Sequence, residues 1–317
     1  MRKTCLEQVY QLALQDDRIF FIGSDLGEGT LTAFKDNLPR RFFMEGVSEA
    51  LVVGMASGLA LEGKIVYVNT IGTFITRRCF EQIVLDVCLH NLPVRLIGNG
   101  GGLVYAPLGP THLATDDIGI LRTIPNMTIV APADADEMKR LMLLTVDYPG
   151  PLYIRLAKGY DPIVTRDDVP FAIGTAMLMR EGTDALLVTT GITLKLAMEA
   201  ASTLSDKGVD ATVLHMPTVK PLDTEAILRH AASAGAIVTI EEHSRISGLG
   251  SAVAEVIAEA RLPELKCFKR IGIPDTFADR YGSQASLLDY YGITAGSIVA
   301  TVETALHHEP RASVAFL

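Results

Sequence analysis

Residues 185–215 read ALLVTTGITLKLAMEAASTLSDKGVDATVLH. The opening run, 185–190, and the closing one, 210–215, are short and apolar, as buried strands are. Between them 193–206 carries the spacing of an amphipathic helix. Strand, helix and strand then continue with a helix over 223–234, a strand over 236–241, a helix over 250–260 and a strand over 266–272. Working back toward the start, 19–22, 65–68, 94–97, 128–130 and 152–155 read as further strands. Helical spacing separates them over 46–61, 76–91 and 133–146. Strands that are apolar throughout, alternating with helices, predict α/β architecture with mainly parallel sheets covered on both faces. Gly159, Pro162, Pro170, Gly174 and Gly182, with a charged RDD at 166–168, interrupt this rhythm. Two domains are therefore expected, at 1–160 and 185–317, joined by a linker over 161–184.

The 317 residues are 49% hydrophobic and 21% charged, which is too apolar for a disordered chain. A formal charge of −9 argues against a nucleic-acid partner, which would select a clustered basic face. Apolar runs fall short of the roughly 18–20 residues that a membrane span needs. The opening stretch, MRKTCLEQVYQLALQDD, mixes acidic and polar residues with apolar ones and reads as an amphipathic helix, not a secretory leader. Cys5, Cys79, Cys88 and Cys267 lie far apart with no metal-ligand spacing. They are expected to be reduced thiols in a cytoplasmic protein.

Four segments could carry chemistry. In FFMEGVSEALVVGMASGLALEG (42–63), Glu49 stands among small and apolar residues, where an ionised carboxylate is costly unless a partner compensates. Such an acid can hold a proton against a ring nitrogen; an exposed glutamate favoured by the helix dipole is the other reading. In NTIGTFITRRCFEQI (69–83), Phe74 and Arg77 lie three apart, so on one helical turn they could line a planar ligand; ordinary helix packing with solvated arginines is the alternative. LGPTHLATDD (108–117) sets His112 in a turn before a helix, either for catalysis or as a surface or capping residue. GPLYIRLAKG (150–159) ends a strand with Arg155 followed by Lys158, suited to an anion at a sheet's carboxyl edge or simply to solvent.

Other signals carry less. GLGSAV (248–253) lacks the third glycine of a dinucleotide fingerprint, and GNGGGL (98–103) lacks the lysine of a phosphate loop. His307 and His308 read as solvent-exposed. Glu241, Glu242 and His243 follow a strand and read as a polar strand end.

Taken in order, these segments resemble the C-terminal half of a transketolase, related to deoxyxylulose-phosphate synthase. The resemblance spans nearly the whole chain. It implies a thiamine-diphosphate pyrimidine-binding domain followed by a transketolase C-terminal domain. GVSEA (46–50) stands where that family has Gly-Ile-Ala-Glu, which makes Glu49 the glutamate at N1′ of the cofactor's aminopyrimidine, with Val47 beside it. TFITR (73–77) matches the stretch around the same ring, so Phe74 and Arg77 should border it, with Ile71 and Phe80 nearby. GPTH (109–112) makes His112 the histidine near the reacting carbon. Arg155 matches a substrate-phosphate arginine, and VTIEEHSRISGLGSAV (238–253) matches the C-terminal domain. GSDL (23–26), with Arg2 upstream of Asp25, resembles the transketolase start: Asp25 falls to the cofactor and Arg2 to the substrate.

The implied activity is transfer of a two-carbon ketol unit from a ketose or its phosphate to an aldose. The Gly-Asp-Gly segment with which this family holds Mg²⁺ and the diphosphate does not occur in the 317 residues. The resemblance therefore implies a separately encoded N-terminal subunit that carries them, an α2β2 heterotetramer, and no metal ligands here. Leu108 stands where family members place an acidic residue that reads a sugar hydroxyl. Glycines at 100–102 replace a phosphate-contacting histidine, and Gly29 replaces a serine. A smaller, less hydroxylated or differently charged acceptor follows. The competing activities are pyruvate decarboxylation with carbon–carbon ligation, as in the synthase, and that of a dehydrogenase-type E1 β chain, which GPTH and EEHSRISGLGSAV disfavour.

Overall fold

Strands buried on both faces need layers on either side, and the packing supplies them. A computed structural model describes residues 1–24, 29–157, 159, 161–262 and 266–307. The first half runs α1 (Arg2–Gln15), β1 (Ile19–Gly23), α2 (Thr32–Asn37), β2 (Phe42–Met44), α3 (Glu49–Leu61), β3 (Ile65–Ile71), α4 (Phe80–Gln82), β4 (Val94–Asn99), α5 (Asp117–Arg122), β5 (Thr128–Val130), α6 (Ala135–Leu144) and β6 (Leu152–Leu156). The second half follows with β7 (Met177–Arg180), β8 (Ala185–Thr189), α7 (Thr193–Asp206), β9 (Ala211–His215), β10 (Thr218–Lys220), α8 (Thr224–Ser233), β11 (Ala236–Ser244), α9 (Leu249–Glu259), β12 (Cys267–Ile273), α10 (Gln284–Tyr290) and α11 (Ala295–Leu306).

The first sheet has the order β10-β5-β6-β4-β3-β1-β2, parallel throughout β1–β6. The second has the order β12-β11-β8-β9-β7, and β8, β9, β11 and β12 are parallel. Val66, Tyr67 and Val68 in one sheet, and Leu186, Leu187 and Val188 in the other, are fully buried at consecutive positions, which means both faces are covered. Each such side chain contributes about 1.5–3 kcal/mol on burial. The two-domain α/β expectation is met.

Three features depart from expectation. β7 lies inside the stretch expected to be linker and closes the second sheet's edge, antiparallel to β9. β10, from the second half, pairs antiparallel with β5 and so completes the first sheet. The helix expected over 76–91 is instead two π-helical segments, Phe74–Arg78 and Ile83–Cys88, flanking the three-residue α4. The segment after Asp161 is tied back to the first domain by Asp134. Its carboxylate caps α6 by accepting from the Asp136 and Glu137 amides, and it also accepts from Val164, Thr165 and the Thr165 hydroxyl.

Candidate active site

Parallel α/β sheets leave a crevice at the carboxyl ends of their strands, and the loops that end β1, β2 and β3 meet there. The Glu45 and Gly46 amides donate to the carbonyls of Gly23 and Ser24, which pins the turn entering α3. Ser48 Oγ donates to the Glu45 carbonyl at 2.9 Å. The next residue, Glu49, opens α3 with only 5% of its surface exposed. Oε2 accepts from Arg78 Nη1 at 3.3 Å, so the compensating partner is an arginine.

After β3, Thr76 Oγ1 donates to the Gly72 carbonyl at 2.7 Å and sets the start of the π-helical turn. Phe74 is half-buried, and its ring meets that of His112 edge-on, 5.1 Å between centroids. The other aromatic contact comes from the residue after Arg77. The guanidinium over Phe74 belongs to Arg78, 3.9 Å from the ring centroid, and not to Arg77. An i→i+5 turn is wider than an α turn, so position i+3 rotates off the face that i+4 then occupies. Arg77 turns instead to Asp116, with Nε 2.9 Å from Oδ2 and Nη2 2.8 Å from Oδ1. It also donates to the Leu113 carbonyl at 3.3 Å, which clamps the loop carrying His112.

That loop turns at Gly109, whose φ of +75° suits glycine, and the His112 amide closes the turn onto the Gly109 carbonyl. His112 Nδ1 shares a hydrogen bond with Thr111 Oγ1 at 2.8 Å. A cavity of about 740 Å³ opens beside Thr111, lined also by Arg77, Asp116, Ser244 and Phe277. A second, about 680 Å³, is lined by Arg77, Phe80, Asp116, Ile120 and Ile246.

Of the remaining residues singled out, Val47 is exposed just before α3 and Ile71 is half-buried at the end of β3. Arg2 is half-buried at the start of α1 and, among the described residues, makes no hydrogen bond or ion pair with Glu49, Phe74 or His112. Asp25, Lys158 and His308 lie outside the described residues. Among those described, no group of three or more His, Cys, Asp or Glu is arranged to hold a metal. Nor is any helix long and apolar enough to cross a membrane.

Arg155 is not the mouth arginine that was expected. It is 7% exposed, and its Nε lies 2.8 Å from Asp117 Oδ2. Nη2 donates to Asp117 Oδ1, to the Ala114 carbonyl and to the Glu242 carbonyl. Nor is 241–243 an open strand end, since all three side chains are buried. Glu241 accepts from the Leu249 and Gly250 amides and so caps α9 at the GLGSAV turn. Glu242 Oε1 accepts from the Leu103 amide at 2.9 Å and from Gln284 Nε2 at 2.8 Å. His243 Nε2 accepts from the Gly119 amide at 3.2 Å. Sequence reasoning missed Arg78, Asp116, Asp117 and this interdomain set; the doubled arginine at 77–78 was the one visible sign.

The family profile described as "Transketolase, pyrimidine binding domain" covers residues 1–160, and "Transketolase, C-terminal domain" covers 174–298. The chain is 37% identical over 302 residues to a subunit of the apulose-4-phosphate transketolase of Phocaeicola vulgatus, covering 95% of each. It is 39% identical over 301 residues to "1-deoxy-D-xylulose-5-phosphate synthase 1" of Geobacter sulfurreducens, of which it spans 46%. A solved structure titled "Split gene transketolase, inactive beta4 tetramer" superposes with a TM-score of 0.86 at 35% identity, covering 96% of this chain and 97% of that one. With both domain profiles matched in order and a relative of the same length aligned nearly end to end, this chain belongs to the transketolase family.

Proposed function

We propose that this chain is the pyrimidine-side subunit of a two-chain transketolase. It moves a two-carbon ketol unit from a ketose or ketose phosphate to an aldose, using thiamine diphosphate. The observation that carries the reading is that one side chain, Arg78, touches both the buried Glu49 carboxylate and the Phe74 ring, with the His112 ring 5.1 Å from Phe74. The cofactor fits: Arg78 Cζ stands 3.9 Å from the Phe74 ring centroid while Nη1 donates to Glu49, so one cationic or N–H-bearing group can reach an aromatic face and a buried carboxylate together. Thiamine diphosphate, when bound, supplies the carbon nucleophile and holds the electron pair left by carbon–carbon cleavage.

The chain's own residues do the rest. Glu49 Oε2 would hold a proton against a ring nitrogen of the bound cofactor. With Nδ1 engaged by Thr111, His112 Nε2 is left to exchange a proton with a substrate oxygen. Phe74 orients the ring, Ile71 and Phe80 wall its surroundings, and Arg77 holds the His112 loop through Asp116. Arg155 acts through Asp117 on the same loop and touches no phosphate.

A partner is part of this proposal. The sequence offers no Gly-Asp-Gly, so the diphosphate and Mg²⁺ fall to a second chain, in an α2β2 assembly. Val47, Leu51 and Leu61, 64–70% exposed on or beside the helix that begins with Glu49, are apolar surface suited to another chain. The relatives' names run the same way: one is named as a transketolase subunit, and the solved relative is an "inactive" tetramer of β chains. The free thiols of Cys5, Cys79, Cys88 and Cys267 fit the reducing cytoplasm.

Co-expression with the N-terminal subunit, followed by donor screening, tests the reading. Ketol transfer from ketose donors is expected, and E49Q should abolish it while the complex still assembles. Release of CO₂ from pyruvate would replace transketolase with the synthase-like ligation.

A further inference from the structure

The cofactor assignment leaves Arg78 unused, yet its side chain touches both Phe74 and Glu49. Its Cζ lies 3.9 Å from the Phe74 centroid, and its Nη1 donates to Glu49 Oε2 at 3.3 Å. These are the two contacts an aminopyrimidine would seek there: an aromatic face and a buried carboxylate. The guanidinium is planar and cationic and stacks readily on an aromatic ring. Glu49 is 5% exposed and costly to leave unpaired, whereas the Arg78 side chain is 50% exposed and has solvent to turn into.

We infer that Arg78 is a placeholder in the pyrimidine subsite. It fills the ring's position and pairs Glu49 while the chain is without cofactor, and it swings out when the ring arrives. This rests on the thiamine-diphosphate reading above and adds a residue to that site. Two consequences follow. Binding exchanges an ion pair for a ring hydrogen bond, so Arg78 opposes cofactor uptake. It also stabilises the free chain, whose buried carboxylate would otherwise face an empty niche.

Calorimetric titration of thiamine diphosphate with Mg²⁺ into the complex reconstituted with its N-terminal subunit provides the test. R78A should tighten the cofactor Kd about fivefold, the size of one half-exposed ion pair. R78K, which keeps the charge but loses the plane, should tighten it less. In the full chain without its partner, R78A should lower Tm, and adding E49Q should restore most of the loss. A complex that binds the cofactor but shows an unchanged or weaker Kd in R78A overturns the placeholder alone. A wild-type complex that takes up no thiamine diphosphate overturns the site assignment and the placeholder together.

Discussion

Arg155 Nε donates to Asp117 Oδ2 at 2.8 Å, and both side chains are buried. Tyr153 donates to the same oxygen at 2.7 Å, and Arg155 Nη2 reaches across to the Glu242 carbonyl of the second domain. Asp117 opens α5, immediately after the loop that carries His112 and Asp116. The ion pair therefore joins three things: the end of β6, the loop that carries His112 and strand β11. Removing either partner would strand the other charge in the interface between domains.

Asp117→Ala should cost about 3–5 kcal/mol, the penalty of an uncompensated buried charge. Burial pushes the Asp117 carboxyl upward, but Arg155, His243 and the Tyr153 hydroxyl outweigh it and hold it below the ordinary 3.8. A depressed acid contributes stability above the unfolded value and loses it as pH falls through the lower native one. Urea unfolding from pH 5 to pH 2 should thus decline less steeply in D117N than in the wild type. Equal slopes would show that the pair contributes nothing to acid stability.

Glu242 behaves oppositely. Burial pushes its carboxyl from 4.5 up to about 7, with Arg155 and the Gln284 hydrogen bond pulling it back only in part. The folded protein keeps this proton where the unfolded chain has released it. Its contribution is therefore fully present below about 4.5 and is lost as pH rises to about 7. E242Q retains an acceptor for the Leu103 amide without the charge. It should remove a decline in stability of up to ~3 kcal/mol between those pH values. A wild-type profile flat over that window would refute the assignment.

Gly102 is a backbone test of the same contact. Its φ is +64°, and a Cβ there would lie 2.5 Å from the Glu242 carboxyl carbon. Alanine meets both a left-handed backbone and an overlap that flexing cannot fully relieve, together about 2–4 kcal/mol. Thermal unfolding of G102A should report the loss. The E242A background should recover only the side-chain part of the overlap, leaving the backbone strain and the contact with the Glu242 carbonyl oxygen 2.7 Å away.

The sheets were legible because a strand buried on both faces leaves an unbroken apolar run, as 185–188 and 65–68 do. β7 and β10 were not, since three or four residues carry no period, and β10 pairs with a strand nearly ninety positions away in the other domain. Glu49, Phe74 and His112 were singled out because short motifs hold them, and the fold brings Phe74 against both His112 and the arginine that pairs Glu49. Choosing Arg77 over Arg78 assumed an α turn, and nothing in FITRR announces a π turn. Asp117, Arg155 and Glu242 drew the wrong reading or none because a charged residue's burial depends on partners distant in sequence.

Leu108 closes a short 3₁₀ turn at Ala106–Leu108, directly before the Gly109 turn that presents His112. It is 49% exposed and offers no acceptor to a sugar hydroxyl. If acceptor choice is read at this position, L108E should favour hydroxyl-bearing aldoses over shorter, less hydroxylated ones by roughly 10–100-fold in kcat/KM, the range of one charge-assisted hydrogen bond. The change should fall on the acceptor and leave the cofactor Kd untouched, because Glu49 and Phe74 lie on other elements. Competition between a tetrose and glycolaldehyde in the reconstituted complex measures it directly. An unaltered ratio would place selectivity elsewhere, and the cavity between Thr111 and Phe277 becomes the surface to mutate next.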